Sequence, residues 1–150
     1  MATNRKLEGF NRKRTLFYLL PAVGYAALIF ALSSMTLDID ELKPVLIFDT
    51  LLHFAEYYVL GYLLMRAFTT SGIPLLAASP VAAAILVGSA YGMSDEIHQA
   101  FVPGRDASPV DFLFDAAGVS LAAFTYPWVR RRLWPVRALE DRIEEEVRRP

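Results

Sequence analysis

The chain contains no cysteine, which excludes disulfides, thiolate nucleophiles and cysteine-ligated metals. It also lacks a glycine-rich phosphate loop, and none of its serines lies in a nucleophile-elbow pattern, so a covalent hydrolase mechanism has no direct support. There is no internal repeat and no low-complexity segment. Histidine is scarce, with His53 and His98 the two in 150 residues. Charge of one sign is lacking overall: the formal net charge is -1, and the basic residues gather at both ends, so nucleic-acid binding gains no support. Apolar residues are what the chain has in excess. They make up 55% of it at a mean hydropathy of +0.34, and they arrive in long blocks rather than at amphipathic spacing, which points to a multi-pass membrane protein of all-α class.

Four blocks are long enough to cross a hydrocarbon core of roughly 30 Å, which takes about 20 residues of helix. They run from about 16 to 35, 48 to 68, 73 to 93 and 109 to 128. The first could pass as a secretory signal with Ala31-Leu32-Ser33 as its cleavage site, but it is longer than an ordinary signal core. The second is interrupted by Asp49, His53 and Glu56. The third has Pro74 at its start and Pro80 in its first turns, tolerable in a membrane helix. The fourth begins with Ser108 as an N-cap and Pro109 at the first helical position. The expected architecture is therefore a four-helix transmembrane bundle over 1–134, followed by a tail over 135–150.

Lys and Arg set the orientation. Arg5, Lys6, Arg12, Lys13 and Arg14 precede the first span, Arg66 ends the second, and Arg130, Arg131 and Arg132 follow the fourth, whereas the two remaining loops hold only Lys43 and Arg105. By the positive-inside rule both termini and the short second loop are cytoplasmic. Every polar intruder then meets the outer face. In the tail, Val136, Leu139, Ile143 and Val147 recur at helical spacing, with Glu144–Arg148 and Glu145–Arg149 as i,i+4 pairs. This predicts a short amphipathic cytoplasmic helix lying on the membrane or recruiting a protein partner, with a solvated, frayed tail as the alternative.

Ionisable groups near hydrocarbon are costly and mark functional sites. Asp49, His53 and Glu56 stack on one helical face with Tyr57 beside it; Asp111, Asp115 and Gly118 repeat that spacing; Gly88, Tyr91, Asp95 and His98 or Gln99 form a third stripe. Turning all three inward gives one pocket and spares lipid-facing carboxylates. Arg105, after the Pro103-Gly104 turn, either pairs with those acids or captures an anionic group. The histidines suit proton transfer, since imidazole titrates near physiological pH. His53-x-x-Glu56 and Glu96-x-His98 offer nitrogen and oxygen ligands but match no metal signature, so neither a metal nor a cofactor is assigned. The plain alternative is polar glue between helices, which Gly88, Gly92, Ala116, Ala117, Gly118 and Ala122 would allow to approach closely.

The stretches Asp49–Leu60 and Tyr91–Gly118 resemble the VanZ-like family. That family carries an aspartate, histidine and tyrosine in one helix, then an Asp-Glu-x-x-Gln block with a histidine before the glutamine. A Phe-x-Pro-x-Arg segment and an aspartate before a glycine-containing last helix complete the pattern. His53, Tyr57, Asp95, Glu96, His98, Gln99, Phe101, Pro103, Arg105, Asp111 and Gly118 match position by position. Thr50 stands where the family often has lysine, and Asp115 where it often has asparagine, so this pocket is more acidic and favours cation or proton binding. The resemblance implies a bacterial cytoplasmic-membrane protein with an accessory role in resistance to teicoplanin-type glycopeptides.

The expected function is binding or turnover of an amphiphile at the outer face: a lipid-linked envelope precursor, a phospholipid headgroup or a lipoglycopeptide. In the enzyme version His98 moves the proton, Asp95 and Glu96 orient it, His53 and Tyr57 assist, and Arg105 positions the substrate with Gln99, Asp111, Asp115, Asp49 and Glu56 around it. In the binding version the same groups recognise the ligand and no bond changes. A structural or partner-recruiting membrane subunit is the third class.

Overall fold

A computed structural model describes residues 12–35, 46–71 and 73–133, together with 135, 137, 138, 140–142 and 145; for 12–15 and 46–49 it describes the backbone alone. Among the described residues all regular structure is helical, without a strand. They form α1 (Arg12–Ser33), α2 (Leu46–Thr70), α3 (Pro74–Ala78), α4 (Pro80–Gln99) and α5 (Pro109–Arg132). Helical residues recur between 135 and 145. Val136, Leu139, Ile143 and Val147, which carry the apolar stripe expected of the tail, lie outside the described residues, as do Arg148 and Arg149.

α2 is the hub, packing most extensively on α5 and also on α1 and α4, while α4 packs on α5. Small residues bring α2 and α5 together. A Cβ on Gly61 would sit 2.8 Å from the Val119 Cα and 2.9 Å from the Ala122 Cβ, and one on Gly118 would run into the Phe54 carbonyl oxygen. Gly88 likewise receives the Val119 side chain. These contacts let backbones approach, and Tyr57, Leu60, Leu64, Ala84 and Ala123 fill the remaining core. On α1, Tyr18, Ala22, Ile29 and Ser33 are buried while Leu20, Val23, Leu28 and Leu32 are exposed, so that helix turns one face inward.

Side-chain contacts fix the directions of the helices. Thr50, His53 and Tyr58 of α2 meet Asp111, Asp115 and Thr125 of α5 in rising order, so the two run parallel. Ala26, Ser33 and Ser34 of α1 meet Tyr91, Asp95 and His98 of α4 in the same way.

The expected third span differs in the structure. Instead of one helix from 73 to 93, the chain makes the short α3, breaks at Ser79 (φ -145°, ψ 71°) and restarts with Pro80 as the first residue of α4. Proline lacks an N–H, collides with the preceding turn and pushes the residue before it out of the helical region, so tolerance of Pro80 inside a continuous span was the wrong expectation. α4 compensates by running on to Gln99, which makes Asp95, Glu96 and His98 part of its last turns. The start of α5 follows the sequence reading: Ser108 is extended, and its hydroxyl accepts from the Asp111 N–H at 3.3 Å.

Two helices are long and apolar enough to cross a membrane, with Leu16–Ser33 at a mean hydropathy of 2.0 and Pro109–Arg132 at 1.2. α2 and α4 have 25 and 20 residues, and they carry His53, Glu56, Asp95 and Glu96 of the polar cluster.

Candidate functional site

The Ser33, Gln99 and Ser108 ends of α1, α4 and α5 meet the first turns of α2, and there the polar side chains converge. Three of them come from three different helices. His53 of α2 lies with Nδ1 3.1 Å from Asp115 Oδ1 of α5 and 3.9 Å from Glu96 Oε1 of α4. All three residues are buried, Asp115 completely. Among the described residues Asp115 Oδ2 and Glu96 Oε1 have no hydrogen-bond partner, and neither has the hydroxyl of the fully buried Tyr57. The other oxygen of Glu96 is held: Oε2 accepts from the Ser108 N–H at 2.7 Å. The N-cap of α5 thus fastens the Glu96 carboxylate and aims its free oxygen toward His53.

A second chain of hydrogen bonds runs beside the first. Asp95 Oδ1 accepts from the Ser33 hydroxyl at 2.7 Å, Oδ2 accepts from Gln99 Nε2 at 3.1 Å, and Gln99 Oε1 accepts from Arg105 Nη2 at 3.1 Å. Asp95 and Gln99 are four apart on one face of α4. Arg105 reaches them from a turn that closes through its N–H to the Val102 carbonyl at 3.1 Å, with Gly104 at φ 81°, a conformation costly for any side chain. Among the described residues no carboxylate lies within ion-pair distance of Arg105. The α2–α5 seam is closed at the start of both helices by Thr50, whose hydroxyl donates to Asp111 Oδ1 at 2.8 Å.

His53, Asp95, Glu96, Gln99, Arg105, Asp111, Asp115 and Tyr57 are therefore gathered at one end of the molecule. Glu56 joins them by lining a cavity of about 200 Å³ with His53, Asp95, Gln99 and Arg105. His98 is not brought to this group. Its Nε2 lies 3.0 Å from the Ser34 hydroxyl, and its ring stacks on Phe30 at 4.3 Å. Residues two apart on a helix point to different sides, and Glu96 and His98 accordingly meet different partners. The side chain of Asp49 lies outside the described residues.

Sequence reasoning missed Ser33, Ser34 and the anchoring role of Ser108. The adjacent hydroxyls closing the first apolar run stood at the level of the acids, and that was a usable signal.

At the opposite end a further ionic group ties the tail down. Glu140 is buried and accepts from Arg66 Nε of α2 at 2.5 Å and from Arg130 Nη2 of α5 at 3.1 Å. The Arg66 guanidinium also lies over the rings of Phe17 and Tyr18, 5.1 and 4.7 Å from their centroids.

Beyond the site, two cavities flank α4 and α5. One of about 530 Å³ is bordered by Thr50, Gln99, Arg105, Ser108 and Asp111. The other, about 440 Å³, is walled mainly by Met93, Ile97, Ala100, Phe101, Pro109 and Phe112, and Ser108 and Glu96 also border it.

Residues 3–130 match the VanZ/LLP1 family. The chain belongs to that family. No curated protein and no solved structure matches it. The VanZ/LLP1 match takes in α1 to α5 almost whole, and so every residue of the His53 cluster, while Glu140 lies beyond it.

Proposed function

We propose that this VanZ/LLP1 protein is a four-span membrane protein whose outward-facing cavities bind an amphiphile with an anionic headgroup, such as a phospholipid or a lipid-linked envelope precursor. The distribution of side chains supports a membrane setting. Leu20, Leu75, Leu86, Leu113, Phe124 and Trp128 are 60% exposed or more, whereas Asp115, Asp95 and Glu96 are 6% or less. Large apolar groups outside and ionised groups inside suit a hydrocarbon solvent and would be costly in water. Helix direction agrees: α1 parallel to α4 and α2 parallel to α5 is what alternate crossing requires, and the Lys and Arg pattern then sets both termini in the cytoplasm.

The observation that carries the ligand reading is Arg105. Its guanidinium borders both polar cavities, donates to Gln99, and has no carboxylate partner among the described residues, so its remaining N–H donors are available to an anionic oxygen. The apolar cavity shares Ser108 with the polar one of about 530 Å³ and offers a surface for an acyl or prenyl chain. Headgroup and tail sites side by side favour an amphiphile over a soluble anion. A role in tolerance of teicoplanin-type glycopeptides is consistent with the family, through a lipid-linked precursor bound at this face.

Native mass spectrometry of the protein released from detergent tests the proposal, with phosphatidylglycerol as the added probe. The wild type is expected to retain the lipid, and R105Q to bind it about tenfold more weakly, the worth of one charge-assisted contact. Equal retention by R105Q, or none by the wild type, would refute it.

A further inference from the structure

We propose that His53, Glu96 and Asp115 together hold one divalent first-row cation, Zn²⁺ or Mn²⁺. One potential ligand atom from each side chain lies within 4.8 Å of the others, the spread a single ion would span, and all three residues are buried. Clustered acids alone would not argue for an ion. The decisive feature is that Glu96 Oε1 and Asp115 Oδ2 are buried carboxylate oxygens without a hydrogen-bond donor among the described residues. Leaving such atoms unpaired is expensive, and metal coordination is one of the ways proteins offset it.

The surroundings are built as a metal site requires. The Ser108 N–H fixes Glu96 Oε2 and leaves Oε1 facing His53, an outer contact that orients a ligand. Local charge favours a cation: Glu56, Asp95, Glu96, Asp111 and Asp115 are set against the Arg105 guanidinium and the His53 imidazole among the described residues of this end. An approach exists through the cavity of about 200 Å³ that His53 borders. One imidazole nitrogen with two carboxylate oxygens suits Zn²⁺ or Mn²⁺ and gives no soft ligand for Cu⁺. Binding breaks the hydrogen bond between His53 Nδ1 and Asp115 Oδ1, and its proton leaves to solvent as the cation takes its place. The ion is tested alone, so the outcome is separable from that of the amphiphile reading.

The experiment uses the full chain in detergent with any affinity tag removed. The protein is stripped with chelator, equilibrated with Zn²⁺ or Mn²⁺, desalted and analysed by plasma mass spectrometry. About one ion per chain is expected for the wild type and for the exposed-tail control D141N, with retention lowered at least tenfold in H53Q and in E96Q. X-ray absorption of the loaded wild type is expected to show nitrogen or oxygen neighbours at about 2.0 to 2.2 Å, including one imidazole. A wild type that retains no ion, H53Q retaining as much as the wild type, or a shell without imidazole would overturn the proposal. The last measurement needs no variant, so a misfolded H53Q does not shelter the claim.

Discussion

Replacing Gly118 with alanine perturbs the α2–α5 seam at one atom. The added Cβ collides with the Phe54 carbonyl oxygen and lies 3.0 Å from the Tyr58 nitrogen, both backbone atoms that cannot swing aside. Relief requires α5 to withdraw from α2 by about 1 Å, which forfeits dispersion along the seam and costs about 3 kcal/mol, the upper end for overpacking. Asp115 is one turn before Gly118 and His53 is next to Phe54, so the same withdrawal stretches their 3.1 Å contact to about 4 Å, beyond hydrogen-bonding range. Unfolding in mixed dodecyl-maltoside and SDS micelles measures the loss directly. A double-mutant cycle with H53Q measures the linkage, because H53Q should cost less once Gly118→Ala has already parted the pair. Gly24→Ala is the control: nothing lies within 4 Å of its Cβ, and alanine is expected to be neutral or to stabilise by under about 1 kcal/mol. Wild-type stability of Gly118→Ala, or simple additivity with H53Q, would refute the reasoning.

Other variants probe the remaining elements. Glu140→Ala leaves Arg66 and Arg130 without their shared carboxylate and is expected to cost about 3 kcal/mol in the same unfolding assay, with truncation after Trp134 costing about as much. His98→Gln removes a partly exposed contact to Ser34 and should cost under about 1 kcal/mol, whereas His53→Gln leaves the buried Asp115 without a charged partner and should cost roughly 2 kcal/mol or more. Equal effects of the two histidines would contradict the separation between them. Ser33→Ala strips Asp95 Oδ1 of its donor and is expected to lower stability by about 1 to 2 kcal/mol, measured by the same titration.

How far the sequence foretold this arrangement depends on whether a feature is local. The first, second and fourth helices were legible from long apolar blocks, and the Ser108-Pro109 start from cap chemistry acting within one turn. Pro80 was legible too, but its effect was read through the tolerance of membrane helices for proline, when steric conflict at Ser79 prevailed. Spacing told which residues share a helical face. It did not tell which helix that face meets, and so Asp95 and Gln99 turn out to serve Ser33 and Arg105, while their neighbour Glu96 meets Ser108 and faces His53. The angle of about 200° between Glu96 and His98 followed from helix geometry and was enough to part them. Glu140 illustrates the other limit: its partner Arg66 is 74 residues away, and no periodicity links them.

The account rests on one buried meeting of α2, α4 and α5 around His53. With two histidines in the chain, solid-state NMR on bilayer-embedded protein labelled with ¹⁵N-histidine and ¹³C-carboxyl aspartate and glutamate reads that meeting directly. The account predicts that the His53 Nδ1 resonance, identified by its loss in H53Q, dephases strongly against a carboxyl carbon at about 3 to 4 Å, and that Asp115→Asn removes most of that effect. A His53 resonance with no carboxyl neighbour at that range, in protein that is folded in the bilayer, would contradict it.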